Sequence, residues 1–409
     1  MTPGEARYDE LIETGCACLR QWRLPEAAAT FEAALQLRPD SPNAHYLRGE
    51  ALFLDRRIDE ALASHAAALR LGIDRCDGGR GAAMSGMVPG DFAWMSHMLR
   101  GDFESAWQCA DHDREQRRRA GITGRGWPRH LRPVWDGRPL SGMHVLVRCH
   151  HGLGDTIQFV RYLPRLAEMA ASVEVEAQPE LLALLAPLPG IDRLHALSST
   201  DDRPAAALGC DAEIDVTELP HAFRTTLESV PAGVPYLRPD PARVVEARQR
   251  LGRLGHGLAV GLVWAAGEWK PERSIALCRL GPLAAIPGVA LVNLQRGPEY
   301  ARWRASREGP AMAEIFATGA VADAAATIAA LDLVITVDTM AAHLAGALAV
   351  PVWTLLHYAA DWRWLLDRRD SPWYPTMRLF RQPRPGDWAP VVAEIAAALR
   401  RRAGSGALS

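Results

Sequence analysis

The sequence predicts an all-α helical repeat followed by two α/β domains built on parallel sheets. Three observations carry that prediction. Near the N-terminus, small residues recur at an offset of 34 positions. From residue 143 onward, apolar runs of strand length alternate with helical patterns. A Pro-rich stretch, VPAGVPYLRPDPA at 230–242, divides that alternation into two blocks.

Each element follows in order. The offset aligns Gly15 with Gly49, Ala27 with Ala61 and Ala34 with Ala68, and sets Phe31 opposite His65. Small residues at these places let two helices approach closely, and the period is that of the tetratricopeptide repeat. Pro39 and Asp40 punctuate the first unit, and LRGDFESAW opens a third, degenerate one within 91–119. Residues 76–90 read as an irregular connection, and the Gly-, Pro- and Trp-rich stretch 121–142 as a linker.

MHVLVRC (143–149) is a buried strand running into a Gly-bearing turn, then a helix from Asp155 to Ala171 kinked at Pro164. SVEVEA and DAEIDV are further strands, with a short helix at 179–186. In the second block GLAVGLVW, VALVNLQ, LDLVITV and VPVWTLL are strands, with helices at 322–330, 340–349 and 388–402. Alternation of this kind implies parallel sheets covered by helices, with ligands at the carboxyl ends of the strands. The domains expected are 1–120 (repeats), 143–235 and 257–386 (α/β), with a linker at 236–256 and a last helix at 387–403.

Composition narrows the function. A chain of 409 residues holds two to four domains at roughly 100–200 residues each. The 46 basic and 48 acidic residues leave a net charge of −2, against general nucleic-acid binding. No apolar run reaches the roughly 20 residues that cross a bilayer, and MTPGEARYDE lacks the features of a signal peptide. Seven cysteines without paired spacing point to reduced thiols, hence to the cytoplasm.

Three motifs carry chemistry. The first, His150 to Thr156, follows a strand and opens a helix. It lacks the third glycine of a dinucleotide fingerprint, and Asp155 would repel a pyrophosphate there, which argues against a nicotinamide enzyme. Gly152 and Gly154 instead admit close approach of a neutral group. Asp155 is then either a general base toward a hydroxyl or the cap of its own helix, and spacing alone favours the cap.

The second motif, Trp264 to Ser274, holds the only lysine among the 46 basic residues, Lys270. An ammonium is a compact charge suited to phosphate, and Arg273 and Ser274 stand beside it. The third, Asp338-Thr339-Met340 to His343, runs from a strand into a helix whose first amides, at 339–341, face an anion. The bland reading of His343 is a buried side chain held by a backbone carbonyl. No metal-binding motif stands out, and Asp111-His112-Asp113 reads as a solvated helix face. Trp353, Trp362, Trp364, Trp373 and Trp388 are expected to pack the last helix onto the body.

Together HHGLGDTIQFVRYLPRL, VGLVWAAGEWKPERSIAL, DLVITVDTMAAHLAGALAVPVW and DWRWLLDRRDSPWYPTMRLFRQP resemble bacterial proteins joining tetratricopeptide repeats to a family 9, heptosyltransferase-like glycosyltransferase domain. The resemblance implies a GT-B fold, with an acceptor-side first domain and a donor-side second one. It implies inverting transfer from a nucleotide-diphosphate sugar with neither metal nor cofactor. Asp155 matches the family's general base and Lys270 its phosphate-binding lysine, with Arg273 and Ser274 close by. Asp338, Thr339 and His343 match its last nucleotide-binding turn, and Gly152, Gly154, Trp264 and Met340 complete the expected donor site. Sequences of this type often carry Gln where His151 stands and Pro where His357 stands, so these two are candidates for acceptor or sugar choice. The repeats suit a protein or peptide partner or self-association. The rival reading is a non-catalytic scaffold in which the repeats bind a partner and the α/β body is inert or senses nucleotide.

Overall fold

The computed structural model describes residues 3–73, 91–122, 134–198, 205–255, 257–267, 270–306, 309–315 and 319–406. The connection at 76–90, linker residues 123–133 and the end of the tail lie outside them. The chain forms two compact units, Met1–Arg119 with Ala359–Asp367, and Ala120–Tyr358 with Arg368–Ser409.

The first unit is a stack of helical hairpins: α1 (Pro3–Arg20) with α2 (Leu24–Leu37), α3 (Pro42–Leu54) with α4 (Ile58–Arg70), and α5 (Asp91–Arg100) with α6 (Phe103–Arg119). The sequence offset is a packing rule. A Cβ on Gly15 would collide with the Phe31 ring, and one on Gly49 would collide with the His65 ring, so both hairpins close through glycine against a ring. Residues 359–367 belong to this unit. The Trp362 ring meets Trp94 at 5.5 Å and Phe103 at 6.3 Å, while Arg56 donates to the Leu366 carbonyl at 2.8 Å.

His65 stacks on Phe92 at 3.8 Å, and burial pushes its pKa from 6.5 down to about 3. The unfolded chain therefore takes up a proton more readily between those values. Stability should fall with falling pH through that window, by about 1.4 kcal/mol per pH unit at most. Acid titration of unfolding should show this slope in the wild type and a flatter one in His65→Phe, which keeps the ring against Gly49. Equal slopes would mean that His65 does not set acid sensitivity.

The second unit holds two parallel sheets. The first comprises β1 (His144–Arg148), β2 (Ser172–Ala177), β3 (Arg193–Ala196) and β4 (Ala212–Asp215), in the order β3-β2-β1-β4. Between β1 and β2 the expected long helix is broken: α7 (Leu153–Phe159), a 3-10 turn at Val160–Tyr162, then α8 (Leu163–Ala167) with Pro164 in its first turn. Proline lacks the amide that would continue the ladder. The short helices α9 (Leu182–Leu185) and α10 (Leu219–Ala222) complete this lobe. The alternating Val and Glu of β2 set a charged row into the sheet, where Arg148 bridges Glu176 at 2.8 Å and Glu213 at 2.9 Å.

The stretch 236–256, read as a linker, contains a helix, α11 (Pro241–Gly252), begun by the Asp240 side chain capping Ala242. The second sheet follows: β5 (Leu258–Val263), α12 (Gly281–Ala284), β6 (Val289–Asn293), α13 (Pro298–Ser306), α14 (Val321–Ile328), β7 (Leu333–Val337), α15 (Met340–Ala347), β8 (Val352–Leu356) and β9 (Met377–Arg381). Its strand order is β6-β5-β7-β8-β9. The last helix, α16 (Ala389–Gly406), lays Val391, Ile395 and Leu399 on the core of this sheet. Trp353 and Trp388 join that core as expected, whereas Trp362 and Trp364 fall in the repeat unit and Trp373 lies beside Arg161. No helix among the described residues is long and apolar enough to cross a membrane.

Candidate functional site

In the first lobe, the chain leaves β1 through Cys149–His151 and enters α7 with Gly152 as N-cap. Asp155, third in the helix, accepts the Gly152 amide at 3.0 Å through Oδ2. The cap favoured by spacing is thus formed. Behind the turn, Thr156 donates to Gln178 at 3.0 Å and Gln178 donates to the His151 carbonyl at 2.8 Å, which fixes the turn to β2. Asp215 ends the neighbouring strand β4, buried, and accepts from the Thr217 amide and hydroxyl at 2.9 and 2.8 Å. Its other oxygen accepts from the His150 amide at 3.4 Å, and His151 Nε2 lies 3.4 Å from Oδ1. Burial pushes the Cys149 thiol pKa far up, with the Asp215 charge adding to it.

The second motif is a loop closed at its base. Gln295 accepts from the amides of Trp264 and Ala265 at 3.1 and 2.9 Å and returns a donor to the Ala265 carbonyl at 3.2 Å. On the far side, Ser274 accepts from the Ala266 amide at 3.0 Å and Ile275 donates to the Trp264 carbonyl at 2.9 Å. Ser274 thereby holds the loop. Trp264 is in the hydrophobic core, edge-on to Trp303 at 6.3 Å. Lys270 is half-buried at the start of a 3-10 turn, Pro271–Arg273, and Glu268 and Trp269 lie outside the described residues.

The third motif meets both others. Asp338, buried at the end of β7, faces the Arg273 guanidinium at 3.6 Å. Thr339 caps α15 by accepting the Ala341 amide at 3.3 Å, so one of the three amides read as anion donors is engaged by the helix's own cap. Met340 and His343 pack against the first turn: a Cβ on Gly154 would stand 3.0 Å from His343 Cδ2 and 3.5 Å from the Met340 Cα. A side chain at 154 would press on the His343 ring where α7 and α15 meet. His343 Nδ1 shares a hydrogen bond with the Tyr374 hydroxyl at 3.0 Å. His357 is buried directly after β8, the strand beside β7, and the following amide, Tyr358, donates to Gln382 at 3.2 Å.

Sequence reasoning missed the residues that join the lobes. Arg161, after α7, is buried and donates to the carbonyls of Gln158 at 2.7 Å and Trp373 at 2.5 Å and to the Tyr236 hydroxyl at 2.9 Å. Its guanidinium lies 4.5 Å from the Tyr374 ring centre and 4.7 Å from that of Tyr236. Tyr236 in turn donates to Ile157, on α7, at 2.8 Å. An arginine inside an apolar stretch was the available signal, since such a charge needs a built set of partners.

A family model described as TPR repeat matches residues 17–55. The chain is 29% identical to Protein FlbA of Caulobacter vibrioides, over 92% of this chain and 64% of that protein. It thus spans less than two thirds of that relative's length. Among solved structures it is similar to a glycosyl transferase family 9 protein of Veillonella parvula, at 13% identity and a TM-score of 0.46, covering 60% of this chain and 87% of that one. It is also similar to the ADP-heptose lps heptosyltransferase II of E. coli, at 14% identity and a TM-score of 0.47, covering 64% and 99%. A mutant O-GlcNAc transferase of Thermobaculum terrenum covers 98% of this chain and 87% of its own at 15% identity, with a TM-score of 0.28.

Proposed function

We propose that this chain is a glycosyltransferase that moves a sugar, with inversion, from a nucleotide-diphosphate sugar to an acceptor hydroxyl. The observation that carries the reading is the meeting of the three motifs: Gly154 against Met340 and His343, and Arg273 against Asp338. Residues far apart in sequence and separately read as chemical converge at the carboxyl ends of β1, β5 and β7, where parallel sheets bind ligands.

In the proposed step the acceptor oxygen forms a bond to the anomeric carbon and Asp155 takes its proton. The bond from that carbon to the diphosphate oxygen breaks, and the nucleoside diphosphate leaves with the electron pair. Lys270 and Arg273 offset the charge that grows on the leaving group, with part of the Arg273 charge shared with Asp338. Donors fixed where charge develops lower the barrier more than ground-state contacts do. In this reading neither metal nor cofactor is needed, and the nucleotide sugar is a co-substrate. Gly152, Gly154, Thr339, Met340 and His343 shape the donor side, with Trp264 supporting the loop from the core. His151 and His357 tune acceptor or sugar choice. The repeats present a protein or peptide acceptor, or a second copy, and the reaction is cytoplasmic.

Incubation with a panel of nucleotide sugars should release free nucleoside diphosphate slowly even without acceptor. No release across the panel by folded protein would favour the scaffold reading, which the repeats by themselves equally suit. Lys270→Ala should weaken nucleoside-diphosphate affinity about 10- to 150-fold, the worth of a charge-assisted hydrogen bond of roughly 1.5–3 kcal/mol, and leave nucleoside affinity nearly unchanged. Lys270→Arg should rescue only in part, because the planar fork is wider than an ammonium. Calorimetric titration with UDP, GDP, ADP and dTDP reads both. A change within about 0.5 kcal/mol for either variant would mark Lys270 as a solvated loop residue.

A further inference from the structure

Three glutamines carry the sheets beyond the reach of the backbone ladder, each beside a loop that holds site residues. Between β1 and β2 the ladder runs to the Cys149 amide and the Glu176 carbonyl, and Gln178 then donates to the His151 carbonyl at 2.8 Å. Between β8 and β9 it runs to the Leu356 carbonyl and the Gln382 amide, and the Gln382 side chain accepts from the Tyr358 amide at 3.2 Å. Between β5 and β6 it runs to the Leu262 carbonyl and the Leu294 amide, and there the Gln295 side chain takes over. Gln295 is the fullest case. It is buried, and its oxygen accepts from the amides of Trp264 and Ala265 while its nitrogen donates to the carbonyls of Ala265 and Arg296, at 3.2 and 3.0 Å. Two bonds in and two out is the whole capacity of a primary amide. Asn293 fixes the backbone of Gln295 in turn, accepting its amide at 3.0 Å.

We propose that Gln295 is a positioning residue for the donor diphosphate. By clamping both backbone groups of Ala265 it sets the start of the loop that carries Lys270 and Arg273, and as a neutral group it adds no negative charge there against the phosphates. Gln295 acts through the loop rather than on a reacting atom, and this role rests on the glycosyl-transfer reading.

Gln295→Glu keeps the shape but, when ionised, sets an acceptor against two carbonyls. Its nucleoside-diphosphate affinity should fall roughly 3- to 10-fold, with nucleoside affinity nearly unchanged. The deficit against wild type should shrink as pH falls, because a protonated Glu both accepts and donates. Gln295→Met should show the loss at every pH. In a Lys270→Ala background, adding Gln295→Glu should cost less than about 2-fold, because both act through one loop. Calorimetric titration with UDP, GDP, ADP and dTDP reads all of these. Unchanged affinity in both variants, an equal loss for nucleoside and diphosphate, or an undiminished loss in the Lys270→Ala background would overturn the proposal. A second arm needs no ligand. Lys270 is the only lysine of the chain, so reductive 13C-methylation labels it alone beside the α-amine. Its resonance should move between full-length wild type and Gln295→Met, and identical spectra would overturn the clamp. If wild type binds none of the four nucleotides, the glycosyl-transfer reading fails, and the spectra still decide whether Gln295 sets the loop.

Discussion

Asp155→Asn is expected to lower turnover about 10²- to 10⁴-fold while leaving nucleoside-diphosphate affinity nearly unchanged, the usual worth of a positioned general base. The substitution is informative because of what it preserves. Asp155 accepts the Gly152 amide at 3.0 Å, and an asparagine carbonyl can accept the same bond. Helix α7 therefore keeps its start, and only the charge and the proton affinity are lost. Asp155→Ala removes both roles and should add a capping loss of about 1 kcal/mol in stability. Rates from single-turnover transfer, set beside unfolding midpoints, separate the two effects. If Asp155→Asn turns over like wild type, Asp155 is the helix cap alone.

Arg161→Met should destabilise the α/β unit by about 3–5 kcal/mol, the largest stability effect expected outside the apolar core. Methionine keeps the apolar stem but ends near the position of Nε, so the rest of the guanidinium is removed and its space left unfilled. What is lost is a set of donors: the carbonyls of Gln158 and Trp373 and the Tyr236 hydroxyl all face Arg161 inside the protein. Leaving buried acceptors without donors costs about 1–3 kcal/mol each, partly recovered by relaxation. Three aromatic rings also lose a cation at 4.5 to 5.7 Å. Arg161→Lys should fall between, because one ammonium cannot reach all three acceptors. Urea unfolding followed by tryptophan fluorescence measures this, and a loss below about 1 kcal/mol would show that the contacts joining the lobes are not held by Arg161.

Local pattern settled most of the element order. The pairing of Gly15 with Phe31 and of Gly49 with His65 is written as a period, because each hairpin solves the same steric problem within one stretch of chain. The central strands β1, β2, β5, β7 and β8 are apolar or alternating runs, and burial on a sheet demands that composition. The three motif turns were legible because a strand entering a helix through Gly or Asp-Thr is a local event. Strands β3 and β9, with RLHA and MRLFR, were not legible, because short runs that mix arginine with apolar residues show neither a continuous apolar stretch nor a clean alternation, whereas the edge strands β4 and β6 do.

Everything that depends on a distant partner was decided by the tertiary structure. No spacing rule joins Arg161 to Trp373, Tyr236 to Ile157, or Gly154 to His343. Nor does the sequence near Trp362 show that residues 359–367 would group with helices more than 250 positions earlier. Trp264 is expected in the donor site from the sequence, and its ring packs against Trp303 and the core. The physical reason is common to all of these. Periodicity reports which face of an element is buried, whereas the identity of the buried neighbour is fixed only when whole elements pack and each desolvated donor must find its acceptor.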